Sequence, residues 1–439
     1  MVDTLSTEPD VWIKIFWIIF ALRYVRLLGH LIGCWMYRPS KIPYRPAYFR
    51  QDVTVIVPTV DPSNRDFNEC INSILINRPA ELFVVTVGDK LRRECMQVLE
   101  PLTTCALETR ISVSAVSKPS KRRQVAHAMP QVKTHITILA DDHVFWLSKD
   151  FLTSVLAPFE NVHVGIVATP KRVVRTTPGK HGWSSIVNFI ACNYLQRHNW
   201  ELRASNAIDG GVFVVSGRTA AYRTQFLADE ELLARYSNEK FFMGLLGGDQ
   251  GLGPDDDNFL TREAMKKNWL IRFQDTEEAT IMTTLGEWPK FKGQLTRWAR
   301  TTIRSNPVML RDAPFVVRYC WSAFMVYWVG LVNFALLWDA ALIASLVKAR
   351  GTSNMASKMV KIIPHFMRHP RDMGLVFYQI AFAYVHSFIK LWALLTFWDC
   401  DWSGRNLDEV NRDGQDELDT SFFPVTYLSR AIGQVQLCS

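Results

Sequence analysis

Acidic residues stand directly after three short β-branched runs of this chain. Thr59 and Asp61 follow the run that begins at Val53, Asp89 follows Leu82–Gly88, and Asp141, Asp142 and His143 follow His135–Ala140. A single aspartate after a strand is ordinarily a loop residue or a helix cap. The same chemistry at three strand ends argues for a common purpose. Carboxylates hold Mg²⁺ or Mn²⁺, and the ion then neutralises diphosphate oxygens. Lys118, Lys121, Arg122 and Arg123, just before the fourth run, can add positive charge to such a site.

A second acidic group lies further on, at Asp255-Asp256-Asp257, opening a helix expected to run to Lys267. Dipole complementation accounts for one or two carboxylates at a helix start. It does not account for their delivery by the glycine-rich stretch Gly244–Gly253. A carboxylate carried on such a loop can act as a general base that is positioned as the site closes. Gln294, Arg297 and Trp298 sit on a Trp- and Arg-rich helical segment, Trp288–Arg304, next to apolar sequence. Phe291, Leu295 and Trp298 share one face of that helix, which suits a bilayer boundary or a sheet domain, and Arg297 points about 100° away.

The elements that must position these groups read as alternating strands and helices. Runs at Val53–Thr59, Leu82–Gly88, Ile111–Val116, His135–Ala140 and Val164–Thr169 are nearly continuously apolar, as in strands buried on both faces. Phe67–Asn77 and Lys90–Glu100 carry apolar residues at helical spacing between them. The expectation is an α/β fold, a mostly parallel sheet with helices on both faces and ligands at the carboxyl ends of the strands. No GxGxxG, GxxxxGK[ST] or GxSxG pattern is present, which removes the dinucleotide, P-loop and hydrolase-elbow signatures.

With 439 residues the chain exceeds one ordinary domain. Apolar residues form 48% of it, charged residues 21%, and mean hydropathy is +0.01. That balance points to a soluble domain joined to membrane segments. The net charge of +8 comes without a basic run interleaved with aromatics, so nucleic acid is not expected as a partner. Eight dispersed cysteines form no CxxC pair, which fits a reduced, cytosol-facing domain.

Apolar stretches near both ends are expected to be membrane helices: Val11–Tyr37, Tyr319–Val347 and Met373–Trp398. Basic residues follow the first and acidic residues precede it, which places the central domain in the cytosol. The basic link between the last two stretches sits awkwardly with three spans. Either that link breaks the positive-inside tendency or Tyr319–Val347 is a re-entrant pair; three spans are expected. Lys390, in the last stretch, is expected to snorkel. The resulting layout is an N-terminal membrane helix in 1–37, a cytosolic domain in 38–310, a membrane region in 311–400 with spans near 319–347 and 373–398, and a cytosolic tail in 401–439.

This constellation resembles the processive family-2 glycosyltransferases, the cellulose, chitin and hyaluronan synthases, and above all the fungal membrane polysaccharide synthases of this type. The resemblance implies a GT-A-like fold. It also implies that Thr59 and Asp89 contact the nucleotide, and that Lys121 and Arg122 of Ser120-Lys121-Arg122 approach the diphosphate. Asp142 stands at the second acid of the family's metal-binding Asp-x-Asp. Asp257, with Leu260-Thr261 following, matches the catalytic base. Gln294, Arg297 and Trp298 match Gln-x-x-Arg-Trp, which caps acceptor and nucleotide, and Trp402-Ser403-Gly404-Arg405 is similar to an element of hyaluronan synthases. Alanine, Ala140, replaces the first acid of Asp-x-Asp, so either Asp141 substitutes or Asp142 holds the ion with diphosphate and water. Three consecutive aspartates leave the base open between Asp256 and Asp257.

The implied activity is inverting transfer of a sugar from a nucleotide donor, a UDP-sugar by resemblance, to a growing extracellular or cell-wall glycan, with Mn²⁺ or Mg²⁺. The chain would be a multi-pass protein of the plasma membrane, in contact with bilayer, donor and acceptor, and homo-oligomeric assembly is left open by the short membrane part. Two alternatives stand beside it: transfer to a lipid-phosphate carrier, and a non-catalytic nucleotide-binding transporter or scaffold.

Overall fold

A computed structural model describes residues 8–103, 108–246, 252–349, 361–400 and 420–425. Its contacts divide the chain into two units. One is built from Pro39–Arg172, Val214–Thr284 and Cys400–Ser439, the other from Met1–Arg38, Val173–Phe213 and Leu285–Asp399.

The first unit holds the sheet. Its strands are β1 (Val53–Pro58), β2 (Glu81–Val87), β3 (Arg110–Val116), β4 (Ile136–Ala140), β5 (Val144–Trp146), β6 (Val164–Ala168), β7 (Lys171–Val173), β8 (Thr219–Arg223), β9 (Leu270–Phe273), β10 (Ile281–Thr283) and β11 (Phe423–Pro424). Eight form one sheet in the order β11-β3-β2-β1-β4-β8-β6-β9, and β5-β10-β7 form a second. The expected parallel core is present: β1 runs parallel to β2 and β4, and β2 to β3. The strands β1, β2, β4 and β6 are buried along their whole length, as their unbroken apolar runs require.

One departure lies in the order. β6 does not join β4; β8 is inserted between them, antiparallel to both. The run Thr-Ala-Ala-Tyr-Arg lacks a β-branched pattern, so burial between two neighbours, rather than propensity, makes it a strand. The helix Arg65–Leu75 between β1 and β2 is capped by the Asn64 side chain, which accepts from the Asp66 amide. It buries Phe67, Cys70, Ile71 and Ile74 against the sheet, in one core with Val55, Val84, Val113 and Ile138.

The second unit is helical. The helix Glu8–Met36 contains an apolar stretch, Val11–Met36, long enough to cross a membrane, and so does Pro370–Leu395. The expected span Tyr319–Val347 is broken: Ser322–Val332 and Ala335–Lys348 meet at 86°, so among the described residues two helices are long and apolar enough to cross a membrane, or three if the bent pair counts as one. Lys390 does not snorkel. Its ammonium donates to the Gly330 and Asn333 carbonyls, at 2.8 and 3.1 Å, satisfying groups that the break strips of helical partners. Two charges of the first helix are matched by carboxylates, Arg23 by Asp339 at 3.4 Å and Arg26 by Glu201 at 3.3 Å.

The helix Lys290–Leu310 also belongs to this unit. Its Phe291, Leu295 and Trp298 face packs on Val187, Cys192 and Leu195 of the helix Trp183–Ile208. The 26-residue helix Trp183–Ile208 escapes a reading by periodicity because its buried positions include Ser185, Asn188, Asn193, Asn199, Ser205 and Asn206.

Candidate active site

The acidic groups after β1 and β4 meet. Thr59 Oγ1 donates to Asp142 Oδ2 at 2.8 Å, and the ring Nδ1 of His143 lies 3.0 Å from Asp142 Oδ1. Both Thr59 and Asp142 are buried. The cause is topological: β1 and β4 are parallel neighbours, so residues just past their carboxyl ends emerge side by side. The Thr59 carbonyl and the Val85 carbonyl of β2 both accept from the Gln124 side chain, at 3.0 and 2.7 Å, which ties the strand ends to the helix Lys121–Ala128.

Lys121 opens that helix, and its ammonium joins the two acidic clusters. It reaches Asp141 Oδ1 at 2.7 Å, Asp256 Oδ2 at 3.1 Å and the Gly217 carbonyl at 2.9 Å. Burial works against charge on Lys121, but the two carboxylates outweigh it and hold its pKa well above the ordinary lysine value. Burial likewise opposes charge on Asp141; Lys121, helped by His143, wins and holds that carboxyl below the usual range.

Asp257 is the partly exposed member of the triple aspartate, whereas Asp255 and Asp256 are buried. The Gly217 amide donates to its Oδ2 at 3.1 Å, and the Asn258 amide to its Oδ1 at 2.8 Å. Thr261 Oγ1 donates to the Asp257 carbonyl at 2.7 Å and accepts from the Val215 amide at 2.9 Å, which locks the first turn of the helix Asp256–Lys266 onto the segment before β8. Burial and then the neighbouring Asp256 charge raise the Asp257 pKa above the ordinary carboxylate value. A carboxylate with a raised pKa is a stronger base, and one that is reachable from outside can meet a hydroxyl.

Arg122 is turned inward and fully buried. Its guanidinium binds Glu239 at 2.7 Å and donates to the Tyr236 and Pro254 carbonyls, both at 2.8 Å. It therefore supports the turn that carries Asp255, where the backbone is left-handed with φ of 67°. Arg262 pairs with the other oxygen of Glu239. Asp89 lies in the first turn of the helix Gly88–Thr103 at the end of β2, with Arg92 Nη2 2.8 Å from its Oδ1. Gln294, Arg297 and Trp298 sit together on the helix Lys290–Leu310 of the other unit, with Trp298 stacked on Tyr194 at 5.4 Å. Trp402-Ser403-Gly404-Arg405 and part of the Gly244–Gly253 stretch lie outside the described residues.

Three participants carry no motif. Gly217 touches both acidic clusters, and a Cβ there would stand 3.0 Å from Lys121 Nζ and 3.3 Å from the Asp257 Cβ. Lys171 is buried, which drives its pKa well below the ordinary value; Arg218 pushes the same way and Asp257 opposes. The periodicity of the chain marks neither them nor Arg218, because all become neighbours of Asp257 only through the order of β8 and β6.

Among the described residues no cluster of three or more His, Cys, Asp or Glu side chains is arranged to hold a metal ion by itself. The oxygens of Asp142, and of Asp141 beside Lys121, nonetheless fit a hard divalent ion that takes one or two carboxylates and completes its shell with phosphate oxygens and water.

Comparison with known proteins finds relatives along most of the chain. Residues 50–301 match the family model described as "Glycosyltransferase like family 2". A "Type 2 glycosyltransferase" of Zymoseptoria tritici is 36% identical over 422 residues, 91% of this chain and 86% of that protein. One of the same description from Pyricularia oryzae is 32% identical, covering 93% of this chain and 86% of its own length. Among solved structures, a mannosyltransferase from Pyrobaculum calidifontis in complex with GDP-Man and Mn²⁺ is similar in fold, with a TM-score of 0.51 at 16% identity, over 86% of this chain and 99% of that one.

Proposed function

Because the chain belongs to the glycosyltransferases of family 2, we propose that it is a membrane-bound, inverting enzyme that moves a sugar from a nucleoside-diphosphate donor onto a growing glycan. The observation that carries this reading is the link between the acidic cluster at the carboxyl ends of β1 and β4 and the triple aspartate that opens the helix Asp256–Lys266. A partly exposed carboxylate, Asp257, stands beside a cation, Lys121, that is shared with Asp141.

In the proposed reaction Asp257 takes the proton of an acceptor hydroxyl. The oxygen attacks the anomeric carbon, and the bond from that carbon to the diphosphate breaks with its electron pair leaving on the diphosphate. One displacement of this kind inverts the anomeric centre. Lys121 places positive charge where the leaving group gains negative charge, and its own charge is secured by Asp141 and Asp256. Asp142, oriented by Thr59 and His143, would hold Mn²⁺ or Mg²⁺, with Asp141 as its neighbour; when bound, the ion supplies further charge against the diphosphate. Arg122 acts through the backbone, by fixing the turn before Asp256. Gln294, Arg297 and Trp298 are assigned to acceptor and nucleotide by their motif. The two long apolar helices support a membrane location; a polysaccharide or cell-wall product rests on the resemblance of the sequence motifs.

A panel of radiolabelled UDP- and GDP-sugars, incubated with the full chain in membranes and Mn²⁺, tests the reading. Label in a water-soluble or insoluble glycan supports it. Label extracted into organic solvent as an acid-labile lipid moves the acceptor to a lipid phosphate. No transfer and no nucleotide release from any donor leaves a binding scaffold.

A further inference from the structure

The short strand β11 closes the sheet at the edge formed by β3. It pairs antiparallel with β3, Phe423 opposite Val113 and Pro424 opposite Ser112, and the Val425 amide donates to the Ile111 carbonyl at 3.0 Å. Ser114 Oγ donates to the Thr420 carbonyl at 2.7 Å. Covering an edge would explain a strand here. It does not explain what its two aromatic residues do.

Successive side chains of an extended segment point to opposite faces of the sheet. Phe422 and Phe423 accordingly grip different helices. The Phe422 ring stacks on His127 at 5.3 Å and 8°, and lies 5.0 Å from Phe83 of β2. His127 belongs to the helix that Lys121 opens, and its Nε2 lies 2.8 Å from Ser114 Oγ. On the other face the Arg92 guanidinium sits over the Phe423 ring, 4.3 Å from its centre. The same guanidinium binds Asp89 at 2.8 Å. The segment thus touches both helices that bring site residues to the ends of the parallel strands, and on one of them it is a single residue removed from a site carboxylate.

We propose that Thr420–Val425 is a positioning strap for the nucleotide half of the site: Phe423 fixes the Arg92 guanidinium, and Arg92 holds the Asp89 carboxylate in the orientation that binds a nucleoside diphosphate. This rests on the reading that Asp89 contacts the nucleotide. Phe423 and Arg92 are positioning residues, since neither is assigned a contact with substrate. An arginine over an aromatic face loses its electrostatic partner when the ring becomes aliphatic, while the apolar volume that covers the edge is largely kept.

Calorimetric titration of the full chain with UDP–Mn²⁺ and with GDP–Mn²⁺ tests the strap, beside the thermal midpoint of each variant. Phe423→Leu should raise the Kd of the nucleotide that the parent binds by about 3- to 10-fold, the loss expected of one such contact, with the midpoint almost unmoved. Phe423→Tyr, which keeps the aromatic face, should restore the parental Kd. A parental Kd in Phe423→Leu overturns the strap, as does a lowered midpoint without any change in affinity, which would leave β11 an edge cover. Asp89→Asn separates the two claims. If it binds nucleotide like the parent, or if the parent binds neither nucleotide, the reading of the site fails and the strap with it. If Asp89→Asn weakens binding and Phe423→Leu does not, only the strap fails.

Discussion

The Gly217 amide holds Asp257 by a 3.1 Å hydrogen bond to Oδ2, while the Gly217 carbonyl accepts from Lys121. One residue thereby spaces the proposed base from the proposed diphosphate cation. Its lack of a side chain matters for that reason and not for backbone strain. A Cβ would come within 3.0 Å of Lys121 Nζ and 3.4 Å of Asp256 Oδ2. Gly217→Ala should leave the chain folded and inserted, since Lys121 can swing away, but lower turnover. A displacement of this size at a reacting centre costs on the order of tenfold to hundredfold. The ratio of initial rates in membranes with matched protein content measures it; an unchanged rate would mean that the spacing is not used.

The pH dependence follows from the Asp257 environment. As the base, Asp257 must be ionised, so activity should fall as pH drops through its pKa. That pKa is raised by burial and by Asp256, so the acid limb lies above the ordinary carboxylate value. Asp256→Asn removes a neighbouring negative charge and releases Lys121 from one partner. Both changes favour ionised Asp257, so the limb should move to lower pH. A rate–pH profile of the two proteins checks the sign. A limb that stays in place or moves upward contradicts the assignment.

The two adjacent aspartates should differ in their response. Asp142 is oriented by Thr59 and His143, whereas Asp141 is engaged by Lys121. Asp142→Ala should weaken metal-dependent nucleotide binding by at least about tenfold, and more than Asp141→Ala does. Titration with and without Mn²⁺ gives both values, and equal binding by both variants and the parent would place the ion elsewhere.

Arg297 is the test of the motif on the helix Lys290–Leu310. Its neighbour Trp298 is stacked on Tyr194, a contact that a change at Arg297 leaves in place. Arg297→Lys keeps the charge and loses the fork. Transfer should fall at least about tenfold with expression and membrane insertion unchanged, as read by quantified membrane fractions. Parental turnover would leave the helix a packing element alone.

Much of this fold is legible in the sequence. Strands buried on both faces announce themselves by unbroken apolar runs, and the five runs named from Val53 to Thr169 fall on β1, β2, β3, β4 and β6. The helix after Asp255 begins at Asp256 and ends at Lys266, one residue from expectation. Strand-end acids could be named because parallel topology puts chemistry there. What stayed hidden depends on pairing across distance. The insertion of β8 beside β4, the Gly217 contacts and the burial of Lys171 are set by neighbours far away in sequence. Arg122 looked like a diphosphate ligand because a basic residue beside Lys121 carries no sign of which way it faces; its partners Glu239 and Pro254 lie more than a hundred residues on. The partners of Lys390 escape for the same reason: the basic link allows a re-entrant pair, but the apolar run does not mark the place of the break at Asn333.

The central claim is that Asp257 is the base of a nucleotide-sugar transfer. It is tested most directly by comparing Asp257→Asn with the parent, in membranes with Mn²⁺ and the donor that the panel identifies. Nucleotide binding and sugar transfer are measured on the same preparation. The account predicts a nucleotide Kd within about twofold of the parent and transfer lowered by about 10²–10⁴, the range for loss of a general base. Transfer near the parental rate in Asp257→Asn would contradict it.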